Sequence, residues 1–168
     1  EARHGLYRAL WLPFIRRCDL VLVNSHFTRS LARRAGVKCG RIRILHPGVD
    51  LPDYARAAEA RRRFRERHAL DHRPVMLYVG RITERKGLAP FVEDILPGVL
   101  VGVADARLVV IGADSRQALL QGDSLMDRIQ RSLEKRNLQG SVVFLGAREH
   151  DDLEISEAYF AADVHVFP

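Results

Sequence analysis

Apolar residues along this chain gather into short runs separated by longer amphipathic stretches. Six runs have the length and β-branched content of strands: LVLVN (20–24), IRIL (42–45), VMLYV (75–79), RLVVI (107–111), VVFL (142–145) and VHVF (164–167). Several are apolar at successive positions instead of alternating, which suits parallel strands covered on both faces. Helical periodicity fills most of the gaps. In SHFTRSLARRAG, Ser25 stands where an N-cap belongs, Phe27, Leu31 and Ala35 share a face, and Gly36 ends the pattern. In DSLMDRIQRSLEKRNLQG, Leu125, Ile129 and Leu133 form a stripe and Gly140 follows it. A last helix, DDLEISEAYFAAD, carries Asp151 and Asp152 at its positive N-terminal end. The helix after Gly87 has Pro90 in its first turn, where proline is tolerated, and Pro97 deep inside, where it should kink or split the helix.

Strands and helices alternating at this length predict an α/β fold, a Rossmann-like parallel sheet with helices on both faces and ligands outside the strands' C-terminal ends. The rhythm breaks at HPGVDLPDY (46–54), and the Arg-rich stretch ARAAEARRRFRERHAL follows. The predicted organisation is therefore one α/β piece over 1–47, a linker with the Arg-rich helix over 48–72, and a second α/β domain over 73–168.

Composition narrows the function classes. Of 168 residues, 47% are hydrophobic and 29% charged, ordinary for a folded chain, and the net charge is +6. Arginine supplies nearly all the cations, with lysine only at 38, 86 and 135. A basic balance suits nucleic acid, anionic lipid or a phosphorylated ligand, but the aromatics are not interleaved with the arginines, so no single-strand stacking platform is expected and nucleic acid is set aside. Cys18 and Cys39 are too few for a disulfide framework or a zinc site and read as free thiols of a reducing compartment. No apolar run reaches the roughly 20 residues of a membrane span. The start, EARHGLYRAL, has neither an h-region nor an initiating Met, so the chain reads as a fragment.

The candidate chemistry centres on LYVGRITERKGLAPF (77–91). An apolar strand stops at Gly80, Arg81 and Lys86 follow, and a helix begins just after Gly87. A helix start offers N–H groups and partial positive charge, Arg81 a planar fork and Lys86 a point charge, which together describe a diphosphate site. The bland alternative is a pair of solvated loop cations near Glu84. Gly112, after VVI, and Gly146, after VVFL, leave room for a ligand at two further strand ends. Asp151 and Asp152 read as helix-end charge, His46, His150 and His165 have no ligand spacing, and no D-x-D occurs, so no metal is expected. The Arg-rich helix 55–68 suits an anionic membrane surface, but Glu59–Arg63 and Arg62–Glu66 have the i,i+4 spacing of an ordinary solvated face, the reading adopted. A nicotinamide-binding domain is dropped because no G-x-G-x-x-G follows a strand.

Together, VNSHFTRSLARRAGV…RIRILHPGVDL, LYVGRITERKGL, ARLVVIGADS and VVFLGAREHDDLEISEAYFAADVHVFP resemble the retaining glycosyltransferases of family 4, from about Asp19 to Pro168. The resemblance implies a GT-B architecture of two Rossmann-like halves joined at HPGVD, with 1–47 on the acceptor side and 73–168 on the donor side. It implies a nucleotide-sugar donor as substrate, no cofactor, and a glycan or lipid-linked acceptor. Arg81 and Lys86 would hold the donor diphosphate beside Gly80, with Gly112 at the next strand end, and Gly146, Ala147 and Arg148 would lie against the base. The HPGVD form is similar to that of bacterial mannosyltransferases, which suggests GDP-mannose. The expected location is the cytoplasm, with a peripheral position at the inner membrane surface as the variant that a lipid-linked acceptor would favour. The family's acidic motif, two Glu separated by seven residues, would follow VFP, and most of the acceptor half is missing, so this piece is expected to lack turnover. The competing reading is a non-catalytic nucleotide-binding or assembly module that keeps the fold.

Overall fold

Proline and glycine around residues 46–54 leave no strand or helix between Ile44 and Tyr54, and the chain divides there into two units, Glu1–Leu51 and Pro52–Pro168. The computed structural model describes residues 2–114, 124–149 and 151–168, the first seven of them by backbone alone. Lys and Arg are slightly outnumbered by Asp and Glu in residues 52–168, so the net positive charge resides in residues 1–51.

The first unit contains α1 (Ala2–Arg17), β1 (Val21–Val23), α2 (His26–Arg34) and β2 (Ile42–Ile44), with β1 and β2 paired in parallel. Ser25 caps α2 by accepting the Thr28 N–H at 3.1 Å, and Gly36 turns left-handed (φ 88°) beyond its end. The apolar stripe of α2 fares differently. Phe27 is 68% and Leu31 44% exposed, because the two-stranded sheet and its small core of Val23, Val37 and Ile42 offer too little area to cover them.

The second unit runs α3 (Ala57–Arg67), β3 (Val75–Val79), α4 (88–102), β4 (Arg107–Ile111), α5 (Leu125–Arg136), β5 (Val142–Gly146), α6 (Leu153–Ala161) and β6 (Val164–His165). Its sheet has the order β5-β4-β3-β6, and all three pairings are parallel. Consecutive apolar residues in β3 and β4 are explained by two separate cores. Met76, Tyr78, Leu108 and Val110 point to the side closed by Leu88, Val92 and Leu96 of α4 and Ile129 and Leu133 of α5. Val75, Leu77, Val109 and Ile111 point to the other, closed by Phe64 of α3 and Ala158 and Ala161 of α6. Each such large side chain, fully buried, contributes about 1.5–3 kcal/mol, so neither face has room for a polar alternation.

α4 does not break at Pro97. It runs as α-helix over Leu88–Pro90, widens to a π-turn over Phe91–Ile95, and resumes as α-helix over Leu96–Gly102. The Leu96 N–H reaches back to Phe91, and Pro97, which has no N–H to give, opens the last segment. The extra residue in the wide turn absorbs the proline. α5 stops at Asn137, which takes the left-handed position (φ 60°) three residues before Gly140.

The Arg-rich helix α3 belongs to the second unit and lies along α6. The two i,i+4 pairs form, Arg63–Glu59 and Arg62–Glu66, both at 3.4 Å. The remaining arginines turn to α6. Arg61 donates to the carbonyls of Phe160, Ala161 and Ala162 at the helix's negative end, and Arg65 donates to Ala161 and to the carbonyls of Asp71 and Arg73. Both also bond Asp163, whose carboxylate in addition accepts the Val75 N–H at 2.8 Å. Burial pushes the Asp163 pKa up, but the hydrogen bonds from Arg61, Val75 and Arg65 outweigh it and hold the group below the usual carboxylate range.

Candidate functional site

The strand order places β3, first in its unit, in the interior, with β6 on its far side from β4. The winding of the sheet reverses between β3 and β6, the switch point at which open α/β sheets hold ligands beyond their strand ends. The turn from Gly80 to Gly87 leaves β3 at that point.

Four contacts fix this turn. Gly80 N–H donates to the Ile111 carbonyl at 2.9 Å and Ile82 N–H to the Ala113 carbonyl at 2.8 Å, so the pairing with the neighbouring chain continues past both strands. Ile82 is fully buried. The Tyr78 hydroxyl donates to the Arg81 carbonyl at 2.9 Å. Gly87 is left-handed (φ 71°), and a Cβ there would meet Pro168 at 3.0 Å, so the turn rests on the segment leaving β6. No side chain caps α4 behind it.

The backbone is held, but the cationic side chains are not. Arg81, Arg85 and Lys86 are exposed, and among the described residues none of the three makes a side-chain hydrogen bond or ion pair. Glu84, the acid between them, turns instead to Arg128 of α5 at 3.5 Å, and Arg128 also grips Glu93 of α4. Arg81 and Lys86 are thus exposed loop cations that do not pair with Glu84, an arrangement that the solvated-loop reading and the diphosphate reading share.

The three candidate glycines lie on neighbouring strand ends. Gly112 N–H donates to the Gly146 carbonyl at 2.8 Å, and a Cβ on Gly112 would fall 1.9 Å from the Gly80 carbonyl oxygen. No side chain fits there. Gly146 is exposed and left-handed (φ 72°), and turns the chain out of β5.

Beyond Gly146, Ala147 is exposed and Arg148 half-buried. Arg148 does not reach outward. Its Nη1 donates to the carbonyls of Leu145 and Ala147, and its Nε donates to Glu154 in the first turn of α6. Glu154, 13% exposed, also receives Arg67 at 3.3 Å and stands 2.9 Å from His68 Nε2, both at the end of α3. Burial raises the Glu154 pKa, but the hydrogen bonds from Arg148, His68 and Arg67 and the charge of Arg148 bring it down to about 2. Asp152 is the N-cap of α6, accepting the Glu154 N–H at 2.8 Å.

Sequence reading missed Tyr78, Arg128, Glu154 and Asp163. A tyrosine inside an otherwise apolar strand was a usable signal for the first, since a buried hydroxyl needs a partner. The other three are charged residues whose partners come from distant segments. His46 stands against His26 (6.2 Å), His165 packs between Tyr159 and Phe167 with its Nε2 buried and unpaired, and His150 lies outside the described residues. Burial lowers the His165 pKa. Among the described residues no three His, Cys, Asp or Glu side chains form a group that could hold a metal ion, and no helix is long and apolar enough to cross a membrane.

Residues 73–168 match the family model described as "Glycosyl transferases group 1", and residues 1–52 match "Glycosyltransferase Family 4". The chain is 30% identical over 150 residues to a GDP-mannose-dependent alpha-(1-6)-phosphatidylinositol monomannoside mannosyltransferase of Mycolicibacterium smegmatis, covering 89% of this chain and 36% of that protein. It is 27% identical over 139 residues to an alpha-D-kanosaminyltransferase of Streptomyces kanamyceticus, covering 82% and 33%. This chain thus spans about a third of the length of these relatives. Among solved structures, Anabaena HepE in complex with UDP superposes with a TM-score of 0.79 at 14% identity, over 99% of this chain and 43% of that one, a likeness of fold.

Proposed function

We propose that this chain, which belongs to the group 1 glycosyltransferases of family 4 and has their GT-B fold, holds the diphosphate of a nucleotide-sugar donor between Arg81 and Lys86. The observation that carries this reading is a pair of exposed cations, unpartnered among the described residues, on a turn whose backbone is pinned on every side. Cations without internal partners keep their full charge for a ligand, and a fixed backbone spares the ligand the cost of ordering them. Gly112 lets the ends of β3 and β4 close against each other beneath the turn, and the loop Gly146, Ala147 and Arg148 borders the same strand ends, where a base would lie.

The chemistry follows from the charge. As the sugar–phosphate bond breaks, negative charge grows on the departing diphosphate, and two fixed cations stabilise that charge more than they stabilise the bound donor. The parent enzyme then transfers the sugar with retention to a glycan or lipid-linked acceptor. Residues 73–168, with α3 packed on them, serve the donor side; residues 1–47 belong to the acceptor side. GDP-mannose is the donor favoured by the HPGVD segment and by the mycobacterial relative's own name. Arg81 and Lys86 take the place that a divalent ion holds elsewhere, so chelation leaves transfer by the parent enzyme intact; activity that vanishes in chelator and returns with Mg²⁺ or Mn²⁺ overturns this part.

The main test is a binding titration of GDP, UDP and ADP against the chain and its Arg81→Ala and Lys86→Ala variants. Each substitution removes a charge-assisted contact worth about 1.5–3 kcal/mol, so affinity for the preferred diphosphate falls roughly 10- to 150-fold. Affinity for the bare nucleoside stays within about twofold. Equal losses for diphosphate and nucleoside refute the assignment.

A further inference from the structure

We infer that Glu154 is the positioning residue of the loop that would meet the donor's base, acting through Arg148. The inference rests on the donor reading above and adds a residue to it. It starts from an oddity of Arg148. A half-exposed arginine in a ligand-facing loop ordinarily reaches into solvent, yet this guanidinium folds back on its own loop. By donating to the carbonyls of Leu145 and Ala147 it ties the backbone on both sides of Gly146 to one planar group. Gly146, between those carbonyls, is left-handed, a conformation that costs glycine nothing but gives the loop no stiffness of its own. Something else must hold it.

Glu154 supplies the hold. It sits on the first turn of α6, a helix whose Ala158 and Ala161 are buried in the core of the unit, so its backbone does not drift. One carboxylate oxygen, Oε2, takes Arg148 Nε; the other, Oε1, takes Arg67 and stands against His68. Asp152 Oδ2 stands 3.7 Å from Arg148 Nε and completes the anionic side. The carboxylate is thus clamped from α3 and presents its free edge to Arg148, which sets the loop. Removing Glu154 leaves Arg148 with Asp152 alone and lets the Gly146 hinge open. Removing Arg67 leaves the Glu154–Arg148 bond in place.

The experiment compares Glu154→Gln, Arg67→Gln and Arg81→Ala in the same chain, by calorimetric titration with a nucleoside diphosphate and with inorganic pyrophosphate. Glu154→Gln is expected to weaken the nucleoside diphosphate roughly 10-fold, the size of one charged hydrogen bond, while pyrophosphate changes by less than about twofold. Arg67→Gln should leave both ligands unchanged. Hydrogen exchange should quicken at the amides of Ala147–Glu149 in Glu154→Gln and stay unchanged in β4. An unaltered nucleotide affinity in Glu154→Gln, equal losses for the two ligands, or an equal effect from Arg67→Gln each overturns the role of Glu154. Arg81→Ala reports separately on the donor reading: if it spares pyrophosphate, the diphosphate assignment has failed, whatever Glu154 does.

Discussion

Two regions of the second unit are rich in cations, and they use them in opposite ways. Along the α3–α6 seam every arginine of α3 has a carboxylate partner, and Arg61 and Arg65 also close off the carbonyl end of α6. On the β3–α4 turn, Arg81, Arg85 and Lys86 have none among the described residues, and Glu84, the acid of the turn itself, is drawn off by Arg128. The difference lies in where the anions are. α6 brings Glu154, Glu157 and Asp163 to α3, so charge there is cancelled inside the protein and contributes to docking. Among the described residues no carboxylate pairs with Arg81 or Lys86, so their charge remains available outside. The unit has no net positive field to draw an anion to it, which makes three local cations the more telling.

The largest expected break in this contrast comes from the seam. Asp163→Ala leaves Arg65, whose side chain is only 9% exposed, as a buried unpaired charge and should cost about 3 kcal/mol in urea unfolding. Arg81→Ala and Lys86→Ala, by contrast, should move that stability by less than about 0.5 kcal/mol. If a turn substitution destabilises the fold as much as Asp163→Ala does, the turn is structural and the contrast dissolves.

Gly112→Ala probes the ground beneath the turn. Its Cβ would overlap the Gly80 carbonyl, so β3 and β4 must part at their ends, at a cost of about 1–3 kcal/mol. Nucleotide affinity should fall along with the melting temperature. Affinity that survives would show that the strand ends need not be close for the ligand to bind.

The smallest effect is a dependence on acid. Glu154 has its pKa lowered from 4.5 to about 2, so the folded state binds its proton less readily than the unfolded chain does. Its contribution is fully present above pH 4.5 and is lost as pH falls through about 2. Partial solvent screening limits this to on the order of 1–2 kcal/mol. Unfolding followed between pH 6 and pH 2 should show a component that Glu154→Gln removes. An unchanged profile in that variant would mean the Arg148–Glu154 bond carries little weight in solution.

Much of this could be read before any coordinates. Each of the six apolar runs contains a strand, and in β3 and β4 the reason is two-sided burial, which leaves no position for a polar residue and is written position by position. The Ser25 cap and the Gly36 stop were legible because both depend on near neighbours. So was the turn at Gly80–Gly87, where a strand end, two cations and a helix start lie within a dozen residues. α2 marks the limit. Its stripe is as periodic as that of α5, yet Phe27 and Leu31 are exposed while Ile129 and Leu133 are buried, since periodicity names a face and says nothing of what covers it.

The sequence by itself determined the elements, the parallel class of the sheet, and the residue types waiting at its strand ends. Tertiary structure decided which charges were spent. Arg65 and Arg81 are the same side chain, and nothing local separates them; one is silenced by Asp163, nearly a hundred residues further along the chain, and the other pairs with no acid among the described residues. It also decided that Gly80, Gly112 and Gly146 form one row, and that Glu154 reaches Arg148 and α3 together. Local propensities follow from near neighbours, whereas ion pairing follows from distance in space, and only the packing of α3, α6 and the sheet sets that distance.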